Sequence, residues 1–434
     1  MIARIAMISE HASPLASLGG VDSGGQNVYV SQLAHHLAAR GFKVDVFTRR
    51  DDASLPDIVD FITRVRVIHI DAGPPRPIPK EQLLPHMAEF ACNMARFCDR
   101  QRAPYDIAHA NFWTSGVVAM AMKRESGVPF VTTFHALGRV RKLHQGDADR
   151  FPRTREEVEA RIIRESNRVI AECAQDRNDL IRLYDAEPSK VCVIPCGFDP
   201  AELWPLDKRV ARTELGFAAG ERLILQLGRI VPRKGIDVPI RALARLRTTY
   251  GIDARLLIVG GESDEPSRVA TPEIGRLQQI AAEAGVAERV QFTGRRPRPV
   301  LRYYYSAADV FVTTPWYEPF GITPLEAMAC ATPVVGARVG GIKTTVRDGK
   351  TGYLVPPRDP DALAERLAHL FRQPALLRQM GRAGRERAVR AFTWDQIAER
   401  VAAVYARVAQ ARRPGAENDQ AHQSLRSFGM KPVS

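Results

Sequence analysis

The sequence predicts the α/β class, with two doubly wound parallel sheets. Three observations carry this. Apolar strand-like runs alternate with helical patterns along nearly the whole chain. That rhythm breaks at the turn-rich stretch CGFDPAELWPLD, residues 196–207, and then restarts. The chain has 434 residues, while single domains run to about 100–200, so two domains are expected.

The first half opens with the strand-like IARIAMIS, a glycine loop GGVDSGGQNV at residues 19–28, and a helical pattern NVYVSQLAHHLAAR that stops at Gly41. KVDVFT, VRVIHI, DIAHA, FVTTFH, RVIAE and KVCVIP follow as strand candidates. After the linker come RLILQLGR, a helix over about residues 236–250, ARLLIVG, a helix, RVQFTG, a helix and DVFVTT. This restart reads as a second Rossmann-like domain. The expected division is 1–200 for the first domain and 201–393 for the second. A last helix begins in FTWDQIAERVAAVYARVA, where Thr393 and Gln396 fit a capping box. Residues 411–434 are polar with Gly and Pro and are expected to be disordered.

The net charge is +13, which suits an acidic partner: a phosphorylated substrate, nucleic acid, or weak peripheral contact with an anionic membrane. No basic tract is interleaved with aromatics, so specific nucleic-acid binding is not expected. No apolar run approaches the roughly 20 residues that span a bilayer, and MIARIAMISE lacks the parts of a signal peptide. The protein is therefore read as cytoplasmic. The six cysteines contain no C-x-x-C pair. Cys192 and Cys196 lack a second pair to complete a zinc site, so buried free thiols are expected.

Four stretches carry chemistry. In PWYEPFGITPLEAMACATPVVG, Glu318 and Glu326 are separated by seven residues that include Pro-Phe-Gly. Thr323-Pro-Leu-Glu326 reads as a capping box, which would make Glu326 only a helix-start residue. Glu318 sits in the preceding loop. A helix N-terminus flanked by two carboxylates would seat a phosphate between two sets of hydroxyls. In LGRIVPRKG, Arg229 and Lys234 lie between a strand end and a helix, where two cations could neutralise a diphosphate or simply face water. The early glycine loop lets backbone approach phosphate, but it is not G-x-G-x-x-G. The next strand ends in Thr48-Arg49-Arg50, with no acid for an NAD ribose, so a dehydrogenase is disfavoured. In VTTFHALGRVRK, His135 stands just past a strand, flanked by Thr133 and Arg139. The triplets Asp147-Ala-Asp149 and Asp359-Pro-Asp361 fall in a linker and at a helix start, so no metal is implied.

Together these stretches resemble the retaining glycosyltransferases of family 4, which have the GT-B fold. The resemblance runs from about residue 2 to 410. It rests on E-x7-E at Glu318 and Glu326, G-R-x4-K-G from Gly228 to Gly235, and the early glycine loop. GGVDSGGQNVYV, AGPPRPIPKEQLLPHMAEF and FHALGR look like the sucrose-phosphate synthase and inositol-phosphate glycosyltransferase branch. The resemblance implies a nucleoside diphosphate sugar as co-substrate, UDP-glucose by analogy with that branch, and no metal or other cofactor. It implies a small sugar or phosphorylated polyol as acceptor. It assigns the donor diphosphate to Arg229, Lys234 and the backbone of Gly25, the ribose to Glu326, and the transferred sugar to Glu318 and His135. Phe320, Gly321, Ile322 and Thr323 would complete the donor site, with Gly294 and Arg295 near the base. Gln26, Lys80, Thr133 and Arg139 would face the acceptor. His135, Arg229, Lys234 and Glu318 are the expected catalytic group. The helix 394–410 would cross back onto the first domain.

One departure is Asn111-Phe112, where related enzymes often carry His-Tyr; it removes a phosphate contact and leaves the acceptor open. Two other functions remain open at this point. An isomerase of the same fold would convert the nucleotide sugar without an acceptor. A binding protein would hold it unchanged.

Overall fold

The structure is a computed structural model that describes residues 2–16, 24–101 and 104–411. Of the expected disordered tail 411–434, all but residue 411 lies outside the described residues, as do residues 19–23 of the glycine loop.

An eight-stranded sheet has the order β3-β4-β2-β1-β5-β6-β7-β8. Its strands are β1 (Arg4–Ile8), β2 (Lys43–Arg49), β3 (Ile58–Ile62), β4 (Val65–Ile70), β5 (Ile107–Asn111), β6 (Phe130–Thr133), β7 (Arg168–Ala171) and β8 (Val191–Val193). All pairings are parallel except β3 with β4. The second sheet has the order β11-β10-β9-β12-β13-β14 and is wholly parallel. It comprises β9 (Leu223–Leu227), β10 (Arg255–Val259), β11 (Val290–Gly294), β12 (Val310–Thr313), β13 (Val334–Ala337) and β14 (Gly352–Val355). The expected strand runs all form. The short strands β3, β13 and β14 lie outside them; Ile58 on β3 is 40% exposed and its strand lacks the apolar run of a buried one.

Each sheet reverses its strand order beside its first strand, between β1 and β5 and between β9 and β12. In open sheets the crevice at the carboxyl ends of such strands is where ligands bind. The outer face of each sheet has its own apolar core, with Phe90, Trp113 and Ile162 on the first and Leu243, Leu277 and Leu367 on the second. The inner core is shared: it runs from Leu33 and Leu37 through Tyr405 and Val401 to Leu325 and Phe311.

The helix Trp394–Gln410 packs against the helix Gly25–Ala39 of the first sheet, as expected. The capping box is present: the Gln396 N–H donates to Thr393 Oγ1 at 3.4 Å and the Thr393 N–H to Gln396 Oε1 at 3.3 Å. The helix is also tied at its far end, where the Tyr405 hydroxyl lies 2.6 Å from Nδ1 of the buried His109. The two chain crossings between the sheets run side by side. The Phe198 N–H donates to the Phe392 carbonyl at 2.9 Å, and the Trp394 N–H to the Phe198 carbonyl at 3.0 Å.

All six cysteines are free; Cys173, Cys196 and Cys330 are buried, whereas Cys92 is exposed. No helix among the described residues is long and apolar enough to cross a membrane.

Candidate functional site

A cleft of about 330 Å³ opens between the carboxyl ends of the two sheets. From the first sheet come Gly24, Gly25 and Gln26 after β1, Phe112 after β5, His135 after β6 and Glu172 after β7. From the second come Gly228, Arg229 and Lys234 after β9, Arg295 after β11, and residues 317–323 with Glu326 after β12. The two walls nearly touch. A Cβ on Gly24 would lie 3.5 Å from Arg229 Cδ, and one on Gly25 3.5 Å from Ile322 Cδ1.

The loops that carry Lys234 and Glu318 are bound to each other. The Trp316 N–H donates to the Arg233 carbonyl at 2.9 Å, and Thr314 Oγ1 to the Gly235 carbonyl at 2.8 Å. Gly235 has φ +60, and a Cβ there would fall 2.2 Å from the Thr314 carbonyl oxygen, so no larger residue keeps this contact. The Lys234 ammonium pairs with Glu318 Oε2, and both side chains are largely buried. Burial works to raise the Glu318 carboxyl pKa. Lys234, Arg233 and Arg229 outweigh it and hold the group below the usual carboxylate range.

Glu326 is not a capping residue, so of the two readings open to it in the sequence the capping one falls. The helix Ile322–Ala329 starts earlier than Thr323: its N-cap is Gly321, whose φ of +87 turns the chain into the helix, and no side chain caps it. The Glu326 carboxylate instead accepts from Arg298 Nη1 at 2.9 Å and from the Tyr305 hydroxyl at 2.8 Å. It is 3% exposed and lines the cleft. The backbone N–H groups that open this helix border the same space, beside Arg229 and Lys234. Cations plus helix N–H groups suit a diphosphate, and a held carboxylate on either side suits hydroxyls.

His135 has φ +57, an uncommon conformation for a residue with a side chain. Its Nδ1 lies 3.1 Å from Glu172 Oε1 and its Nε2 3.1 Å from Asn111 Oδ1. The ring packs edge-on against Tyr29, with centroids 4.8 Å apart.

Of the residues expected here, Gly25, Gln26, Lys80, His135, Arg229, Lys234, Arg295, Glu318, Phe320, Gly321, Ile322, Thr323 and Glu326 line the cleft. Three do not. Thr133 is fully buried, and its hydroxyl lies 2.9 Å from His109 Nε2, because alternation along β6 turns it into the core. Arg139 turns away, with its guanidinium over the Tyr184 ring at 4.7 Å and 3.3 Å from Glu156. Gly294 is buried behind Arg295, against the Asp264 carbonyl. Sequence reasoning missed Glu172, Arg298, His11, Arg141 and Phe151, which also line the cleft. Glu172, His11 and Arg298 carried only the signal of lying one to four residues beyond a strand, which marks many solvated residues too, and Arg141 and Phe151, far from a strand end, carried none. Among the described residues, no group of three or more His, Cys, Asp or Glu is placed to hold a metal ion.

Two family models match the chain: "Glycosyltransferase Family 4" over residues 23–202 and "Glycosyl transferases group 1" over 207–387. The D-inositol 3-phosphate glycosyltransferase of Acidothermus cellulolyticus is 39% identical over 420 residues, covering 95% of this chain and 92% of that protein. The enzyme of that name from Nocardia farcinica is 39% identical over 400 residues, covering 91% and 87%. Among solved structures, sucrose-phosphate synthase from Thermosynechococcus elongatus superposes with a TM-score of 0.87 at 35% identity, over 94% of this chain and all of that one. Anabaena HepE in complex with UDP-glucose shares the fold, with a TM-score of 0.71 at 20% identity over 93% and 99% of the two chains.

Proposed function

The chain belongs to glycosyltransferase family 4, and from that premise we propose that it moves a hexosyl group, with retention, from a nucleoside diphosphate sugar to a small sugar, sugar-phosphate or inositol-phosphate-like acceptor. The observation that carries this is the meeting of two sets of groups across one cleft. Arg229, Lys234 and a helix N-terminus stand together beside two held carboxylates, Glu318 and Glu326. That order of charges matches sugar hydroxyls, diphosphate and ribose hydroxyls. UDP-glucose is the donor this reading favours, by analogy with the branch the chain resembles and with a relative of the same fold solved with it.

In this reading Arg229, Lys234 and the N–H groups at Ile322 and Thr323 stabilise charge on the departing diphosphate. The acceptor enters from the first-sheet side, past Gln26 and Lys80. Thr133 and Arg139 are dropped from the acceptor site because neither side chain reaches the cleft. Phe112 and Phe151, whose rings lie 6.0 Å apart, wall that side instead. The division at residues 200 and 201, with 394–410 returning to the first domain, belongs to the same proposal.

The test is release of nucleoside diphosphate from UDP-glucose, GDP-mannose and ADP-glucose, with and without fructose 6-phosphate, fructose or inositol phosphate. Release that depends on one acceptor and collapses in Glu318→Ala is the expected result. Conversion of the donor to an isomer without any acceptor would overturn it, as would binding without turnover across the panel.

A further inference from the structure

Glu172 stands one residue beyond β7 and lines the cleft. Its backbone N–H donates to Asp176 Oδ2 at 2.9 Å, which fixes the turn into the helix Ala174–Tyr184. One carboxylate oxygen is fully used: Oε1 lies 3.1 Å from His135 Nδ1 and accepts from the Cys196 thiol at 3.1 Å. Among the described residues, no group bonds Oε2. Yet the side chain keeps only 5% of its exposure. Oε2 is not among the fully buried, unpartnered side-chain atoms, so that small exposure includes this oxygen, which opens onto the cleft within reach of a ligand hydroxyl.

The position of that oxygen says which ligand. Glu318, from the opposite sheet, lines the same cleft as Glu172 and Cys196. At Oε2 a phosphate or an acid would meet the like charge of Glu172. A neutral polyhydroxyl ring would satisfy both carboxylates with charge-assisted hydrogen bonds.

We propose that Glu172 is a specificity-determining residue of the sugar subsite: its Oε2 takes a hydroxyl of the transferred hexosyl group and disfavours donors whose sugar carries its own carboxylate. This rests on the reading of the cleft as a nucleotide-sugar site. Glu318 grips the sugar from the second sheet and Glu172 from the first.

The experiment compares wild type with Glu172→Gln, which keeps the shape and an acceptor oxygen for His135 and Cys196. Binding of UDP, UDP-glucose and UDP-glucuronic acid is measured by calorimetry, and kcat/KM with the two sugars. Wild type is expected to prefer UDP-glucose. The variant should lose about 10–100-fold in kcat/KM for UDP-glucose, the effect of one hydrogen bond to a charged group. Its affinity for UDP should stay within about twofold, and its preference against the uronate should narrow. Equal losses for UDP and UDP-glucose would mark a merely structural role and overturn the proposal, as would an unchanged variant. Wild-type protein that binds neither UDP nor UDP-glucose would overturn the donor reading itself, and this proposal with it. Wild type that binds both and yet prefers the uronate would overturn the proposal alone.

Discussion

Lys234 and Glu318 are 84 residues apart in sequence and form one ion pair in the cleft wall. Because its cationic neighbours hold Glu318 below the ordinary carboxylate pKa, its ionisation favours the folded state. That contribution is complete above the unfolded value of about 4.3 and is lost as pH falls through the lower folded value. Lys234→Met removes the strongest of the cationic influences that oppose burial on Glu318, so the acid limb of its pH–rate profile should move to higher pH than in wild type. An unmoved limb would mean that Lys234 does not set the charge on Glu318. Arg229→Ala should lower kcat by roughly one to two orders of magnitude, the worth of a charge-assisted contact at about 1.5–3 kcal/mol, read in steady-state rates. Near-normal turnover would remove Arg229 from the reaction. These residues were legible because each belongs to a short spaced motif, G-R-x4-K-G or E-x7-E, between a strand end and a helix start. Glu172 was not. Its contacts, His135 and Cys196, lie 37 and 24 residues away in the chain, and spacing along a sequence does not report a meeting across strand ends. Arg298 escaped for the same reason, its partner Glu326 lying on another helix.

Thr393-Trp-Asp-Gln396 and Thr323-Pro-Leu-Glu326 share the spacing of a capping box, and of these two only the first forms it. Thr393 caps its helix because its φ of −75 and ψ of 145 are extended and Gln396 points back at it. Thr323 cannot, because the turn at Gly321 has already started the helix. Local letters could not separate these cases, since the difference lies in the backbone that enters each helix. Thr393→Ala should cost about 1 kcal/mol, read as a lower urea midpoint with an unchanged slope. The same helix carries a pH dependence. Burial, with His135 nearby, pushes the His109 imidazole down to about 3, so it stays neutral between Thr133 and Tyr405. In the unfolded chain it binds a proton below about 6.5. Its contribution to stability is therefore present above that pH and is lost as pH falls towards the folded value. His109→Gln should flatten this part of the curve of unfolding free energy against pH; an equally steep curve would place the dependence elsewhere.

At the scale of the whole molecule, catalysis in this reading needs both walls of the cleft, and the walls meet where glycines leave room. Gly25→Leu would press its side chain on Ile322 from the opposite wall. Turnover should fall on the order of 100-fold, the penalty of a small misplacement of reacting groups, while UDP affinity changes far less. Scattering of the UDP-bound variant should report a larger radius of gyration than wild type; equal radii with equal rates would show that the walls need not meet. The two-sheet architecture was readable from the alternation and its single interruption. The closeness of the walls was not, because it depends on how two separately folded layers are joined.

That joint is the pair of adjacent chain crossings at Phe198 and at Phe392 to Trp394, hydrogen-bonded to each other. A single tether would let the halves swivel about it in any direction. Two bonded tethers lying side by side behave as a flexure: compliant to bending across the ribbon and stiff to twisting about its length. Relative motion then reduces to nearly one degree of freedom. Any closing stroke would retrace the last, and the Arg229 side would return to the same register against Gly24 without any further guide.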